Sequence, residues 1–194
     1  MPHIIIIAGA NGAGKSTVAP YLLRDKLGIE EFVNADTLAQ GLSAFAPETV
    51  AITAGKIMLR RLDKLTKANV DFAFETTLST RSFVPRLNKM RENGYKFKLI
   101  FLYLENSELA VLRVAERVRQ GGHNIPETTI KRRYEKGLQN FFALYKTIAD
   151  NWFFYDNSDT EDLKLIAKGS LLKTEEVFDL SIWKNLRKKY EKQK

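Results

Sequence analysis

An α/β fold, with a mostly parallel sheet covered by helices on both faces, is what this sequence predicts, and three observations carry the prediction. Four consecutive isoleucines, Ile4 to Ile7, cannot alternate between core and water, so they read as a strand buried on both sides. A glycine-rich turn follows and runs through Gly14-Lys15-Ser16 into a predicted helix. Strand-like apolar runs then alternate with helix-like periodic segments over the whole length, the pattern of parallel strands joined by crossover helices.

The first strand and turn fit G-x-x-x-x-G-K-S/T, with Gly9, Gly14, Lys15 and Ser16 at the fixed places. A chain of phosphates needs backbone N–H groups pointing inward around it. Small residues at Gly9, Ala10, Gly12, Ala13 and Gly14 let the backbone close in without side-chain clashes. With Asn11 and Thr17 they form the predicted nucleotide cradle, a P-loop, and the following helix turns its positive end to the anion. Lys15 is expected to reach the β and γ phosphates of ATP, and the Ser16 hydroxyl to ligate Mg²⁺.

In order along the chain, Thr17 to Lys26 is read as the helix of this loop, with Pro20 tolerated by its early place. Glu31 to Asp36 is a short strand ending in Asp36, and Pro47 to Ala68 a long helix. Val70 to Glu75 is a strand running into Thr76-Thr77; Val84 to Asn93 is a helix stopped by Gly94. Phe97 to Leu104 is a continuous apolar strand, and Ser107 to Gly121 a helix that Ser107 starts. After the Gly121-Gly122-His123-Asn124-Ile125-Pro126 break, Glu127 to Asn151 is a second long helix. Trp152 to Asp156 closes the main sheet and leads to Asn157, which joins the nucleotide site. Leu163 to Ala167 is an edge strand, and Glu175 onward is helical.

The 194 residues form one predicted domain spanning 1–194, with a helical lid over about 107–135 and an edge strand and helix over about 160–194. With 44% hydrophobic and 28% charged residues, the chain is expected to be soluble and globular. It has no cysteine, which excludes disulfides, thiol nucleophiles and thiolate metal sites. The first apolar run is too short for a membrane span and lacks the marks of a signal peptide, so a cytoplasmic protein without a membrane partner is expected. Net charge is +8, gathered between Arg113 and Arg133 and in the tail Lys184 to Lys194. With Tyr190 as its only aromatic, the tail reads as the solvated end of a last helix and not as a nucleic-acid surface.

Ligands of open α/β sheets sit at the carboxyl ends of the strands. Phosphoryl transfer needs a nucleotide cradle, cations on the migrating charge and a base that orients the nucleophile. Asp36, ending a strand expected beside the P-loop strand, is the candidate base; a capping or turn aspartate would look the same in sequence. Glu75, Thr76 and Thr77 are candidate substrate contacts, with Glu75 also able to hold Mg²⁺ through water. Arg113 and Arg117 share a helix face, and the lid layout offers Arg117, Arg119 and Arg132 as catalytic cations. Arg132 cannot be told from adjacent Arg133 at this stage. His123 in the hinge reads as a loop hydrogen-bonder.

With these residues assembled, the chain resembles the zeta toxin family of P-loop kinases over roughly residues 3 to 160. The resemblance rests on Gly9 to Ser16, Asn34-Ala35-Asp36, Glu75-Thr76-Thr77, Glu116-Arg117 with Arg119 to His123, and Tyr155 to Ser158. It implies a P-loop kinase sheet and transfer from ATP to the 3′-hydroxyl of the amino sugar in UDP-N-acetylglucosamine. It further implies that Asp36 is the general base, Glu75 a substrate contact, and Arg117 with a lid arginine the γ-phosphate ligands. Thr76-Thr77 stands where the family's toxins carry Gly-Thr, and the lid is built on Gly-Gly-His-x-x-Pro, so the stand-alone chromosomal branch is the nearer match. The function expected is phosphotransfer to a hydroxyl of a small molecule. Two other classes are an NTPase associated with nucleic acid and a nucleotide-binding module regulated by an antitoxin-like partner. The strand ends carry no Asn-Lys-x-Asp guanine reader and no paired acids of a motor, both of which favour the kinase.

Overall fold

The isoleucine strand is the middle of the molecule. The computed structural model describes residues 1–191; the last three residues of the basic tail and of the predicted final helix lie outside the described residues. Strand β1, His3–Gly9, buries every residue from Ile4 to Ala8, as an unbroken β-branched run must. The other strands are β2 (Phe32–Val33), β3 (Phe72–Thr76), β4 (Lys96–Tyr103), β5 (Asn151–Asp156), β6 (Lys164–Ser170) and β7 (Lys173–Val177). They form a seven-stranded sheet in the order β2-β3-β1-β4-β5-β6-β7. The first five run parallel, and β6 and β7 add antiparallel strands at one edge.

Helices α1 (Lys15–Ala19), α2 (Ala35–Leu42), α3 (Ala51–Ala68), α4 (Phe83–Glu92), α5 (Ser107–Arg119), α6 (Glu127–Asn140), α7 (Lys146–Ile148) and α8 (Leu180–Tyr190) join or cover these strands. The α1 run widens into a π-type segment at Pro20–Lys26, since Pro20 has no N–H to donate to the preceding turn. A second π segment, Phe141–Tyr145, links α6 to α7. It presses Phe141 and Phe142 onto Trp152, Phe154 and Trp183, an aromatic cluster that seats α8 on the sheet.

Several sequence expectations change. Leu163 to Ala167 falls largely in β6, which lies between β5 and β7 and is not the edge strand expected, and Asn106, not Ser107, caps α5. Strand β2 does not neighbour β1, because β3 lies between them. Asp36 ends no strand: Asn34 caps a helix there, and Asp36 lies in the first turn of α2, which the sequence reading had left without structure. Glu175 to Val177 is β7 and not helix; Lys168 pairs with Glu176 across the hairpin, an arrangement that helix-favouring glutamates conceal. The run from Glu127 stops at Ile148, and Asn151 already belongs to β5.

Candidate active site

The turn after β1 is shaped by what its neighbours leave room for. A Cβ on Gly9 would sit 2.3 Å from the Leu102 carbonyl oxygen, and one on Gly14 2.5 Å from Asn157 Nδ2. Gly14 is in the left-handed region at φ +79° and opens α1 with no side-chain cap, so the first helical amides face the cleft without a partner of that kind. Asn157 Nδ2 donates to the Ala13 carbonyl at 2.9 Å, tying the end of β5 to the loop from behind. Lys15 is 5% exposed; its Nζ donates to the Ala10 carbonyl at 2.8 Å and lies 3.6 Å from Glu75 Oε1. Burial pushes the Lys15 pKa below its ordinary value, against the opposing pull of Glu75 and Asp36.

Parallel pairing puts Glu75 level with Ile7, two residues before the loop begins. Its carboxylate accepts from the Ser16 hydroxyl at 2.8 Å and from Asn34 Nδ2 at 2.9 Å. The other end of Asn34, Oδ1, accepts from the amides of Asp36 and Thr37. Asn34 therefore fixes both acids, a role the sequence reading missed although the Asn-x-Asp cap signature was legible there. Asp36 is half-exposed, with Oδ2 3.8 Å from His123 Nε2 across the cleft.

The helix pair α5 and α6 supplies the cations. Arg113 is a clamp: its guanidinium donates to the Asn157 and Ser158 carbonyls, both at 2.7 Å. Arg117 lines the cleft and donates to the His123 carbonyl at 3.0 Å, while its buried Nε finds no partner among the described residues. Arg119 turns to solvent, 77% exposed and paired with Glu116, so it does not join the site. Arg132 is likewise exposed. Its neighbour Arg133 points inward, donating to Asn11 Oδ1 at 3.2 Å; burial lowers its pKa and Asp36 opposes that shift. The reason is helical phase: Arg133 lies three after Ile130 and four before Gly137, both on the buried face of α6.

Two clefts open on this arrangement. One, of about 450 Å³, holds the P-loop with Thr17, Arg113, Arg117 and Asn157. The other, of about 410 Å³, is lined by Thr76, Thr77, Phe83 and Arg133 among others. Asn11, Lys15, Asp36 and Glu75 belong to both and form the wall between them. No helix among the described residues is long and apolar enough to cross a membrane.

A protein of Haemophilus influenzae, described as uncharacterized, is 29% identical to this chain over 130 residues, 67% of this chain and 91% of that one. Among solved structures, the AvrRxo1-ORF1:-ORF2 complex with ATP superposes at a TM-score of 0.73, with 16% identity over 96% of this chain. This chain spans 63% of that one's length. The PezAT chromosomal toxin–antitoxin system of Streptococcus pneumoniae superposes at 0.64, with 18% identity over 87% of this chain and 72% of that one. At those identities the two structures speak for the fold alone, a mostly parallel sheet covered by helices. The family model described as Zeta toxin matches residues 1–164, and the chain belongs to the zeta toxin family.

Proposed function

We propose that the protein is an ATP-dependent phosphotransferase that moves the γ-phosphate of ATP to a hydroxyl of a small molecule. Family membership supports a P-loop kinase-like function, and the observation that carries the reading further is the pair of clefts meeting at Asn11, Lys15, Asp36 and Glu75. A nucleotide in the first cleft and an acceptor in the second would meet at that wall. The ATP named for the similar AvrRxo1 complex agrees with this choice of nucleotide.

In this reading the loop amides and the start of α1 take the phosphates, and Lys15 exchanges the Ala10 carbonyl for the β and γ oxygens. Asp36 orients the acceptor hydroxyl and takes its proton. The acceptor oxygen bonds to the γ-phosphorus as the bond to the bridging oxygen breaks, and ADP leaves with the electron pair. Arg117, with its unused Nε, and Arg133 face the transferring charge. Mg²⁺ fits beside them. Ser16 Oγ and the Glu75 carboxylate are adjacent hard oxygen donors, and Mg²⁺ is commonly held by a few such groups together with phosphates. No cluster of three or more His, Cys, Asp or Glu among the described residues offers a dedicated cage, so Ser16 would hold the ion with Glu75 acting through water. When bound, the ion neutralises phosphate charge. An antitoxin-like partner belongs with this reading, as the PezAT likeness suggests.

The test is incubation of the purified protein with γ-labelled ATP and a panel of acceptors beginning with the UDP-amino sugars that the family resemblance implies, following label by mass. Transfer to a hydroxyl that is lost in Asp36→Asn, with ATP affinity kept, supports the reading. Release of phosphate to water alone, or its stimulation by DNA or RNA, rejects it in favour of an NTPase.

A further inference from the structure

We infer that His123 is a positioning residue that couples the γ-phosphate of the nucleotide to the base: when Arg117 turns to that phosphate, the imidazole is released to hold Asp36. The inference rests on the phosphotransferase reading and adds to it a residue that takes no part in the transfer itself. It comes from the place of one ring nitrogen, in the connection between α5 and α6.

The imidazole, 13% exposed, stands between two groups that ask opposite things of it. Arg117 Nη2 lies 3.4 Å from His123 Nε2. A guanidinium only donates, so in this contact Nε2 offers its lone pair and the ring proton is on Nδ1. Asp36 Oδ2 is 3.8 Å from the same nitrogen, outside hydrogen-bond reach. A carboxylate only accepts, so to bond Asp36 that nitrogen must carry the proton. One nitrogen therefore serves one of these partners at a time. In the ligand-free protein it serves Arg117, which the His123 carbonyl also holds, at 3.0 Å.

Arg117 has reason to leave. Its Nε is buried with no acceptor among the described residues, and it lines the nucleotide cleft, where phosphate oxygens would accept from it more strongly than a neutral ring and carbonyl do. Asp36 has use for what Arg117 gives up. Asn34 fixes the Asp36 amide, while the carboxylate is half-exposed. A donor on Oδ2 would set the carboxylate plane and leave Oδ1 for the acceptor hydroxyl. The connection has room for the change: Gly121 is at φ +89°, and nothing lies within 4 Å of where its Cβ would be. A groove of about 780 Å³ separates the connection from the segment joining α2 and α3. Asp36 from α2 and Arg117 from α5 face the ring, and Glu48 lines the groove beside it. The exchange changes no net charge, since the ring keeps one proton, given up at Nδ1 and regained at Nε2 from water.

The first measurement needs no turnover. In protein labelled with ¹⁵N in its two histidines, the His123 ring should carry its proton on Nδ1 without ligand and with Mg²⁺ and ADP. With Mg²⁺ and an ATP analogue whose β–γ bridge is nitrogen, which alone brings a γ-phosphate, the proton should be on Nε2. His3→Gln leaves one histidine and so assigns the signal. The second measurement is steady-state kinetics with ATP, Mg²⁺ and the panel of acceptors beginning with UDP-N-acetylglucosamine. His123→Ala should lower kcat about tenfold or more and leave the KM for ATP within about threefold, and His123→Gln, whose amide can donate near the place of Nε2, should recover most of the loss. His123→Phe, which keeps the ring without its nitrogens, takes the place of His123→Ala if that variant does not fold. A proton that stays on Nδ1 with the analogue, or is on Nε2 without ligand, overturns the inference while the kinase stands. So does an unchanged kcat in the variant lacking both nitrogens, with an acceptor phosphorylated. ATP hydrolysed with no acceptor phosphorylated by the wild type overturns the kinase reading and this inference together.

Discussion

Asn34 Nδ2 lies 2.9 Å from Glu75 Oε2, while Asn34 Oδ1 accepts from the Asp36 amide at 2.8 Å. One neutral side chain thus sets the position of two acids on different elements, one on a strand and one on a helix. Asn34→Ala should cost about 2 kcal/mol by losing the cap and a donor to Glu75, lowering Tm by about 4–8 °C. Phosphoryl transfer should fall at least tenfold with ATP affinity little changed. Asn34→Asp keeps the capping oxygen but sets a second carboxylate against Glu75, and should lose more activity than Asn34→Ala does. Wild-type turnover in Asn34→Asp, measured by ADP release, would remove the amide from this role.

The two adjacent arginines of α6 make a matched comparison. Arg133→Ala should lower kcat by about 10²–10³, the size of losing one donor to developing charge. Arg132→Ala should stay within twofold, since that side chain faces solvent. Equal effects in steady-state kinetics would mean that α6 rotates or unwinds when the site is loaded.

Lys15 makes the stability of the ligand-free protein depend on pH in an identifiable direction. Its pKa is lowered from 10.5 by burial, so between the depressed value and 10.5 the unfolded chain binds more protons than the folded one. Stability therefore rises with pH through that window, and the cost of burying the ammonium is fully present below it. Urea titrations of wild type and Lys15→Met across alkaline pH should show this rising component in the wild type alone. ATP should raise the Tm of wild type and leave Lys15→Met unmoved.

Gly122 is pressed against Arg117: a Cβ there would come 2.6 Å from Arg117 Cγ and 3.0 Å from its carbonyl oxygen. Gly122→Ala should displace the guanidinium and the His123 carbonyl that holds it, lowering kcat by tenfold or more with small change in Tm. Unchanged kinetics would place Arg117 outside the reacting centre.

The sequence reading reached some of these residues and missed others for reasons that can be traced. Arg133 was recoverable in principle, since Ile130, Tyr134 and Gly137 mark the buried face of α6, but phase is unambiguous only once the helix start is known. Arg119 had the same difficulty at the end of α5, where it pairs with Glu116 in solvent. The helix carrying Asp36 was hidden because β2 is only two residues long and hands directly to the Asn34 cap. Glu175 to Val177 was misread because an edge strand with charged residues lacks the alternation that a buried face imposes.

Sequence by itself determined the glycine-rich turn that ends in Lys15 and Ser16 and the central strand. Both are local: Gly9, Gly14, Lys15 and Ser16 are contiguous, and the run of isoleucines has no second face to offer. Only the tertiary structure decided the rest of the site. Strand order inserts β3 between β1 and β2, so Glu75 and not Asp36 sits against Ser16, while Asp36 arrives from a helix and meets His123 from the connection between α5 and α6. Those pairings join residues 59 apart and more in the chain. Their geometry is set by which strands share hydrogen bonds and which helix faces find apolar partners, and no short stretch of sequence contains that information.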